Sequence, residues 1–177
     1  SANVQDILDN FKFRNQLPTL SRADAIGSLI NKFLDPDIDL SPAGIDNHSM
    51  GTVFEELVRK FNEEAGEHWT PRDAVRLMAN LVFRPIESAI RSGTYLLYDC
   101  ACGTGGMLTV AEETLTAIAA ARSQQVRCLL YGQEINPETY AICKADMLLK
   151  GEGESAEHIG KLFTDGDRVA KRIREDI

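Results

Sequence analysis

Backbone amides that no helix or strand uses are ready donors for an anionic ligand, and one stretch of this chain is suited to present them. Asp99-Cys100-Ala101-Cys102-Gly103-Thr104-Gly105-Gly106 concentrates glycine between an apolar run, Tyr95 to Tyr98, and a run of helix formers, Leu108 to Ala121. Glycines at a strand-to-helix passage let the backbone bend tightly and let a ligand lie against amides and the helix start. The chemistry such a loop serves is the grip of a nucleotide-type cofactor. A second group, Tyr131-Gly132-Gln133-Glu134-Ile135-Asn136-Pro137, places Glu134 just past a second strand candidate. An acid there can accept hydrogen bonds from ribose hydroxyls, and it reads as an exposed loop residue. A third group, Gly66-Glu67-His68-Trp69-Thr70-Pro71-Arg72-Asp73, reads as a helix start. Thr70 is the capping hydroxyl, Pro71 the first helical residue and Asp73 a first-turn acid, so hydroxyl and amides there could meet a carboxylate.

These groups need elements to carry them. Val4, Ile7, Leu8 and Phe11 fall at helical spacing, as do Ala25, Ile26, Leu29, Ile30 and Phe33. Helix breakers from Asp35 to Gly44 then impose a turn, and Val53, Phe54, Leu57, Val58 and Phe61 form the apolar stripe of a core-packing helix. From Thr70 a helix is expected to about Val82, then a strand near 95–98, the glycine loop, a helix, a strand at 126–131, and a helix from Asn136-Pro137 to Leu149 that stops at Gly151. Two βα units in succession predict an α/β fold with a parallel, doubly wound sheet. The division expected is a helical lead-in over 1–65 and an α/β domain over 66–177. Residues 151–160 read as an exposed acidic loop.

The glycine loop is not the GxGxxG of dinucleotide folds, since Leu108 stands where the third glycine belongs. An NAD-dependent oxidoreductase is therefore the weaker alternative. The loop resembles instead the Asp-Pro-x-Cys-Gly-[Ser/Thr]-Gly-Gly signature of N6-adenine DNA methyltransferases, with Cys100 in place of the proline. Gly66 to Pro71 resembles the Gly-[Glu/Gln]-x-aromatic-Thr-Pro element that precedes that loop. Gly132-Gln133-Glu134-Ile135-Asn136-Pro137, with Leu148-Leu149-Lys150-Gly151 after it, is similar to the pattern of modification subunits of type I restriction-modification systems.

The order and spacing of these groups agree over about residues 50–151. The resemblance implies a Rossmann-like S-adenosylmethionine-dependent methyltransferase fold, present in part and preceded by a helical N-terminal segment. It implies S-adenosyl-L-methionine as cofactor, bound by Glu67, His68, Trp69, Thr70, Pro71, Asp99, Ala101, Gly103, Thr104, Gly105, Gly106 and Glu134. It also implies partners: DNA through the full complex, a DNA-specificity subunit and a restriction subunit, in a hetero-oligomer. A non-catalytic cofactor-binding or assembly module of the same fold is the other alternative.

No catalytic residue can be assigned. The family's methyl-transfer segment, Asn/Asp-Pro-Pro-aromatic, does not occur here, and the one Asn-Pro, Asn136-Pro137, is a helix start. Past Gly151 the resemblance fades: Leu162 to Asp167 is a loose candidate for a third strand with a base-facing acid, and neither Asp165 nor Asp167 is assigned. The chain is therefore expected to be a fragment of a larger subunit, inactive by itself.

Composition agrees with this division of labour. Apolar residues make up 44% and charged residues 26%, ordinary values for a packed domain. The net charge of −8 is the wrong sign for holding a polyanion by bulk electrostatics, so DNA contact must be local or supplied by partners. Four cysteines without a CxxC pair or a histidine cluster suggest buried free thiols and no metal. No apolar run is long enough to span a bilayer and no secretory pattern opens the chain, so a cytoplasmic, membrane-free protein is expected. Gly105 is expected to tolerate alanine in the ligand-free fold and to lose binding instead.

Overall fold

The computed structural model describes residues 2–41, 43–65, 70–150, 158–161, 169, 171 and 173–175. Four helices lead in: α1 (Ala2–Asn10), α2 (Phe13–Arg22), α3 (Ile26–Phe33) and α4 (Asn47–Ala65). Then come α5 (Arg72–Phe83), a 3₁₀ turn at Arg84–Ala89, β1 (Gly93–Asp99), α6 (Gly106–Ala121), β2 (Val126–Glu134), α7 (Pro137–Leu149) and β3 (Ile159–Lys161). The sheet has the order β1-β2-β3, and both pairings are parallel. The α/β reading of the sequence is borne out, with β1 and β2 extending past their apolar runs; β3 instead begins within the stretch read as an exposed acidic loop, where His158 and Ile159 are buried.

β1 and β2 run in register from Gly93 beside Val126 to Asp99 beside Gly132. Alternation then gives each strand one face toward the helices. Tyr95 and Leu97 of β1, with Val126 and Cys128 of β2, pack against Val75, Ala79 and Phe83 of α5 and Val110, Leu115 and Ile118 of α6. Leu130 continues that face and meets Tyr140, Cys143 and Met147 of α7. β2 outlasts its apolar run because Gly132, Gln133 and Glu134 pair with β3. That extension brings Glu134 into the sheet.

The lead-in touches the α/β layer through specific contacts. α1 and α4 both pack on α7. The Asp6 carboxylate accepts hydrogen bonds from Tyr140 Oη and from Lys144 Nζ, each at 2.6 Å, and Lys144 is buried. A lysine almost removed from water requires such a partner.

Not every apolar stripe is covered. On α4, Val58 is buried whereas Val53 and Leu57 stay exposed, so the core-packing expectation holds for part of the stripe only. α3 buries no residue, and Phe33 at its end is 64% exposed. Periodicity specified these helices without specifying what covers them.

Candidate functional site

β1 delivers Asp99 to the edge of the loop, and its Oδ1 accepts the Ala101 amide at 3.0 Å, a local turn that short acidic side chains favour. The chain then folds back onto the end of β2. Cys102 N–H donates to the Gln133 carbonyl at 2.9 Å, and Gly103 N–H donates to Glu134 Oε2 at 3.0 Å. The other carboxylate oxygen, Oε1, accepts the Asn136 amide at 2.8 Å. Glu134 thus ties the glycine loop to the β2–α7 turn.

This corrects the reading of Glu134 as an exposed loop acid. It is the last residue of β2, only 9% exposed, with both oxygens engaged by backbone amides. The loop returns from 31 residues upstream to reach it. Nothing local in the sequence announces that.

The loop glycines divide by environment. Gly105 has φ +89°, and a Cβ there would stand 2.9 Å from Cys143 Sγ and 3.0 Å from Met147 Cε. It is required by the fold on two counts: a left-handed backbone and a packed underside. The expectation that alanine at Gly105 spares the ligand-free fold is therefore corrected. Gly106, the first residue of α6, has no atom within 4 Å of its would-be Cβ and no positive φ. Gly106 faces open space.

The helix starts also differ from one another. α7 is capped as its sequence implies: Asn136 Oδ1 accepts the amides of Glu138 and Thr139 at 2.9 and 3.3 Å. α6 has Gly105 at its cap position, with no side-chain cap and no acid in its first turn. α5 begins at Arg72, one residue later than expected, with Pro71 in the capping position and no side-chain cap bond. Thr70 is exposed and does not cap the helix. Its hydroxyl is left for other use. Glu67, His68 and Trp69 lie outside the described residues, as do Gly66 and the stretch from Leu162 to Asp167.

Beneath the loop, Cys102 and Cys143 are buried with their sulfurs 4.0 Å apart. The contact with Cys102 and burial together push the Cys143 thiol well above its ordinary range. The buried-thiol expectation holds for these two, while Cys100 is exposed and Cys128 half-buried. At the end of β1, Tyr98 Oη donates to Gln133 Oε1 at 2.6 Å. Partial burial and the neighbouring Cys100 and Asp99 raise its phenol. Gln133 is a contributor that motif reading missed, and its position one residue before the acid is the only sequence signal for it.

A recess between α4, α5, α6 and α7 is lined by Arg72, Thr104, Gly106, Thr109, Asp146 and Lys150, among others, and encloses about 20 Å³. That is room for a water molecule. In it Lys150 Nζ donates to Asp146 Oδ2 at 2.6 Å. Thr104 and Gly106 thus belong both to the glycine loop region and to the wall of this recess, and a Cβ at Gly103 or Gly106 would meet open space.

The chain is an α/β protein with a small parallel sheet, β1-β2-β3, whose glycine loop is joined to an acid at the end of the second strand. The family model described as N-6 DNA Methylase matches residues 45–167, and the chain belongs to that family. It is 29% identical to the methylase subunit of the type I restriction enzyme EcoEI of Escherichia coli, over 70% of this chain and 24% of that protein. It is 24% identical to the HindI methylase subunit of Haemophilus influenzae, over 93% of this chain and 38% of the relative. The fold matches the crystal structure of a type I restriction-modification methyltransferase subunit from Streptococcus thermophilus, with a TM-score of 0.52, 24% identity, and coverage of 69% of this chain and 25% of that one. This chain therefore spans well under half of the relatives' length.

Proposed function

We propose that this chain is the S-adenosylmethionine-binding part of a DNA methyltransferase that modifies adenine at N6 within a type I restriction-modification complex. The observation that carries the reading is the glycine loop tied to Glu134, with open space where a Cβ at Gly106 would stand, in a chain of the N-6 DNA methylase family.

The residues present fit such a cofactor. Gly103, Thr104 and Gly106 border the open side, and the α6 amides lie behind them without a side-chain cap. Each carboxylate oxygen of Glu134 has a second lone pair, so a ribose hydroxyl can be accepted while the amide contacts persist. Asp99 and Ala101 shape the entry to the loop. Thr70 and Pro71, with Glu67, His68 and Trp69, are assigned to the amino-acid end of the ligand, where a hydroxyl and uncapped α5 amides suit a carboxylate. The cofactor supplies a methyl group on a sulfonium, ready for transfer to a nucleophilic nitrogen. This chain's part in that chemistry is to bind and orient, which supplies proximity and alignment.

The Asn/Asp-Pro-Pro-aromatic segment that would receive an extruded adenine does not occur in this sequence. We assign it to the remainder of the whole protein, along with DNA contact. Target choice and cleavage belong to a specificity subunit and a restriction subunit, and the net charge of −8 suits a chain that leaves DNA binding to others. Residues 66–177 form the cofactor domain in this reading and 1–65 its helical lead-in. Among the described residues no helix is long and apolar enough to cross a membrane.

Calorimetry with S-adenosylhomocysteine and with NAD tests the assignment. Binding of the first and not the second is expected. Leu108, where a dinucleotide loop has its third glycine, is buried in the core and leaves no close approach there. Preference for NAD would overturn the reading.

A further inference from the structure

Glu134 has a geometry that a simple ribose acceptor does not need. Its carboxylate is nearly removed from water and is held from two sides, by the Gly103 amide at 3.0 Å and the Asn136 amide at 2.8 Å. Gly103 lies between β1 and α6, outside any helix or strand, with φ +57°. Its amide would otherwise have to find water or a ligand. The preceding amide, Cys102 N–H, is held by the Gln133 carbonyl. Two consecutive loop amides are thus fixed by two consecutive residues at the end of β2, and the middle of the loop is set before any ligand is present.

We propose that Glu134 is a positioning residue, holding the glycine loop in its ligand-ready shape through the Gly103 amide. The inference rests on the cofactor reading above and deepens it. It assigns Glu134 an effect on affinity that does not require the ribose hydroxyls. The carboxylate is suited to this because both oxygens accept only, so neither can turn a donor against the amides it holds. Asn136 fixes the side chain from the α7 side, and α7 is itself capped by that asparagine. The loop, the end of β2 and the start of α7 are therefore one hydrogen-bonded unit.

Glu134→Gln tests this with little change of shape. Glutamine offers one oxygen where two amides need acceptors, so one of the two contacts is replaced by donor against donor. The probes are S-adenosylhomocysteine and its 2′,3′-dideoxy analogue, titrated into wild type and variant. Affinity is expected to fall by about tenfold to a hundredfold for the first, the range for a hydrogen bond to a charged group, and still by at least about tenfold for the second, which lacks the ribose hydroxyls. A loss seen with the hydroxyl-bearing ligand and absent with the dideoxy analogue would overturn the proposal, leaving Glu134 as a ribose acceptor only.

Amide hydrogen exchange at Gly103 in the ligand-free wild-type chain is the second measurement, and it holds even if the variant fails to fold. Slow exchange supports the clasp; exchange at the rate of an unprotected loop amide overturns it. If the wild type does not bind S-adenosylhomocysteine at all, the cofactor reading fails, while Gly103 exchange in the same sample still decides whether the clasp exists.

Discussion

The two adjacent glycines at the start of α6 should respond oppositely to alanine. At Gly106 the new methyl meets nothing within 4 Å and the backbone is already helical. Alanine there should leave stability unchanged or raise it by up to about 1 kcal/mol, the helix-interior difference, with less in a first turn. At Gly105 the residue has φ +89°, and the methyl would sit 2.9 Å from Cys143 Sγ. A left-handed backbone costs roughly 1–2 kcal/mol and overpacking roughly 1–3 kcal/mol, so Gly105→Ala should lose about 2–5 kcal/mol. For a chain of this size that is a fall in Tm of roughly 5–20 °C. Cofactor affinity should show the reverse order of interest. Gly106→Ala, with an intact fold, is expected to bind S-adenosylhomocysteine at least about tenfold more weakly, or about 1.4 kcal/mol, because the methyl occupies the open face of the loop. Scanning calorimetry and titration calorimetry on both variants read the two effects separately. Wild-type affinity in Gly106→Ala would refute the assignment of this face to the ligand. An unchanged Tm in Gly105→Ala would refute the packing argument.

Two further outcomes follow from the neighbouring contacts. Asn136→Ala removes the acceptor for two α7 amides and should cost about 1 kcal/mol in urea denaturation, the usual worth of such a cap; no change would mean that water replaces it fully. The Cys143 thiol is held above its ordinary 9.0 by its contact with Cys102 and by burial, so folding favours its neutral form. Its contribution is complete below that pH and is lost as pH rises beyond it, because the unfolded thiol ionises first. Stability of wild type should thus fall more steeply above about pH 9 than that of Cys143→Ala, measured by denaturation across that range.

Most of the element sequence was legible because those elements carry a local mark, whereas β3, at the end of a stretch read as an exposed acidic loop, carries none. Thr70 to Asp73 announces a helix, Tyr95 to Tyr98 a strand, and Asn136-Pro137 a helix start whose cap bond is present. What could not be read is what reaches each residue from elsewhere in the chain. Glu134 looked exposed because its burial depends on pairing with β3 and on a loop that precedes it by 31 residues. Gly105 looked like the ligand's glycine because the side chains that fill its underside come from α7. Thr70 looked like a cap because its residue type suits one, but α5 begins a residue later, with Pro71 in the capping place. The stripe on α3 predicted a helix correctly and said nothing about a partner, and none of its residues is buried.

The contrast between α6 and α7 gives a reason to place the ligand at one helix start and not the other. Both helices follow a parallel strand, so both present amides at the same edge of the sheet, and position alone does not separate them. α7 satisfies its own start: Asn136 takes two amides, and Glu138 puts a negative charge in the first turn, which offsets the positive end of the helix dipole. An anionic or electron-rich ligand would there compete with groups already in place. α6 has neither device, and the side chain that could have capped it is missing because Gly105 must be glycine to fit over Cys143 and Met147. The packing that demands a glycine beneath the loop is therefore also what leaves the helix start above it available. A ligand accepting from those amides meets no competing acid in the first turn of α6, and the nearby carboxylate of Glu134 is already committed to the loop that the proposed ligand would touch.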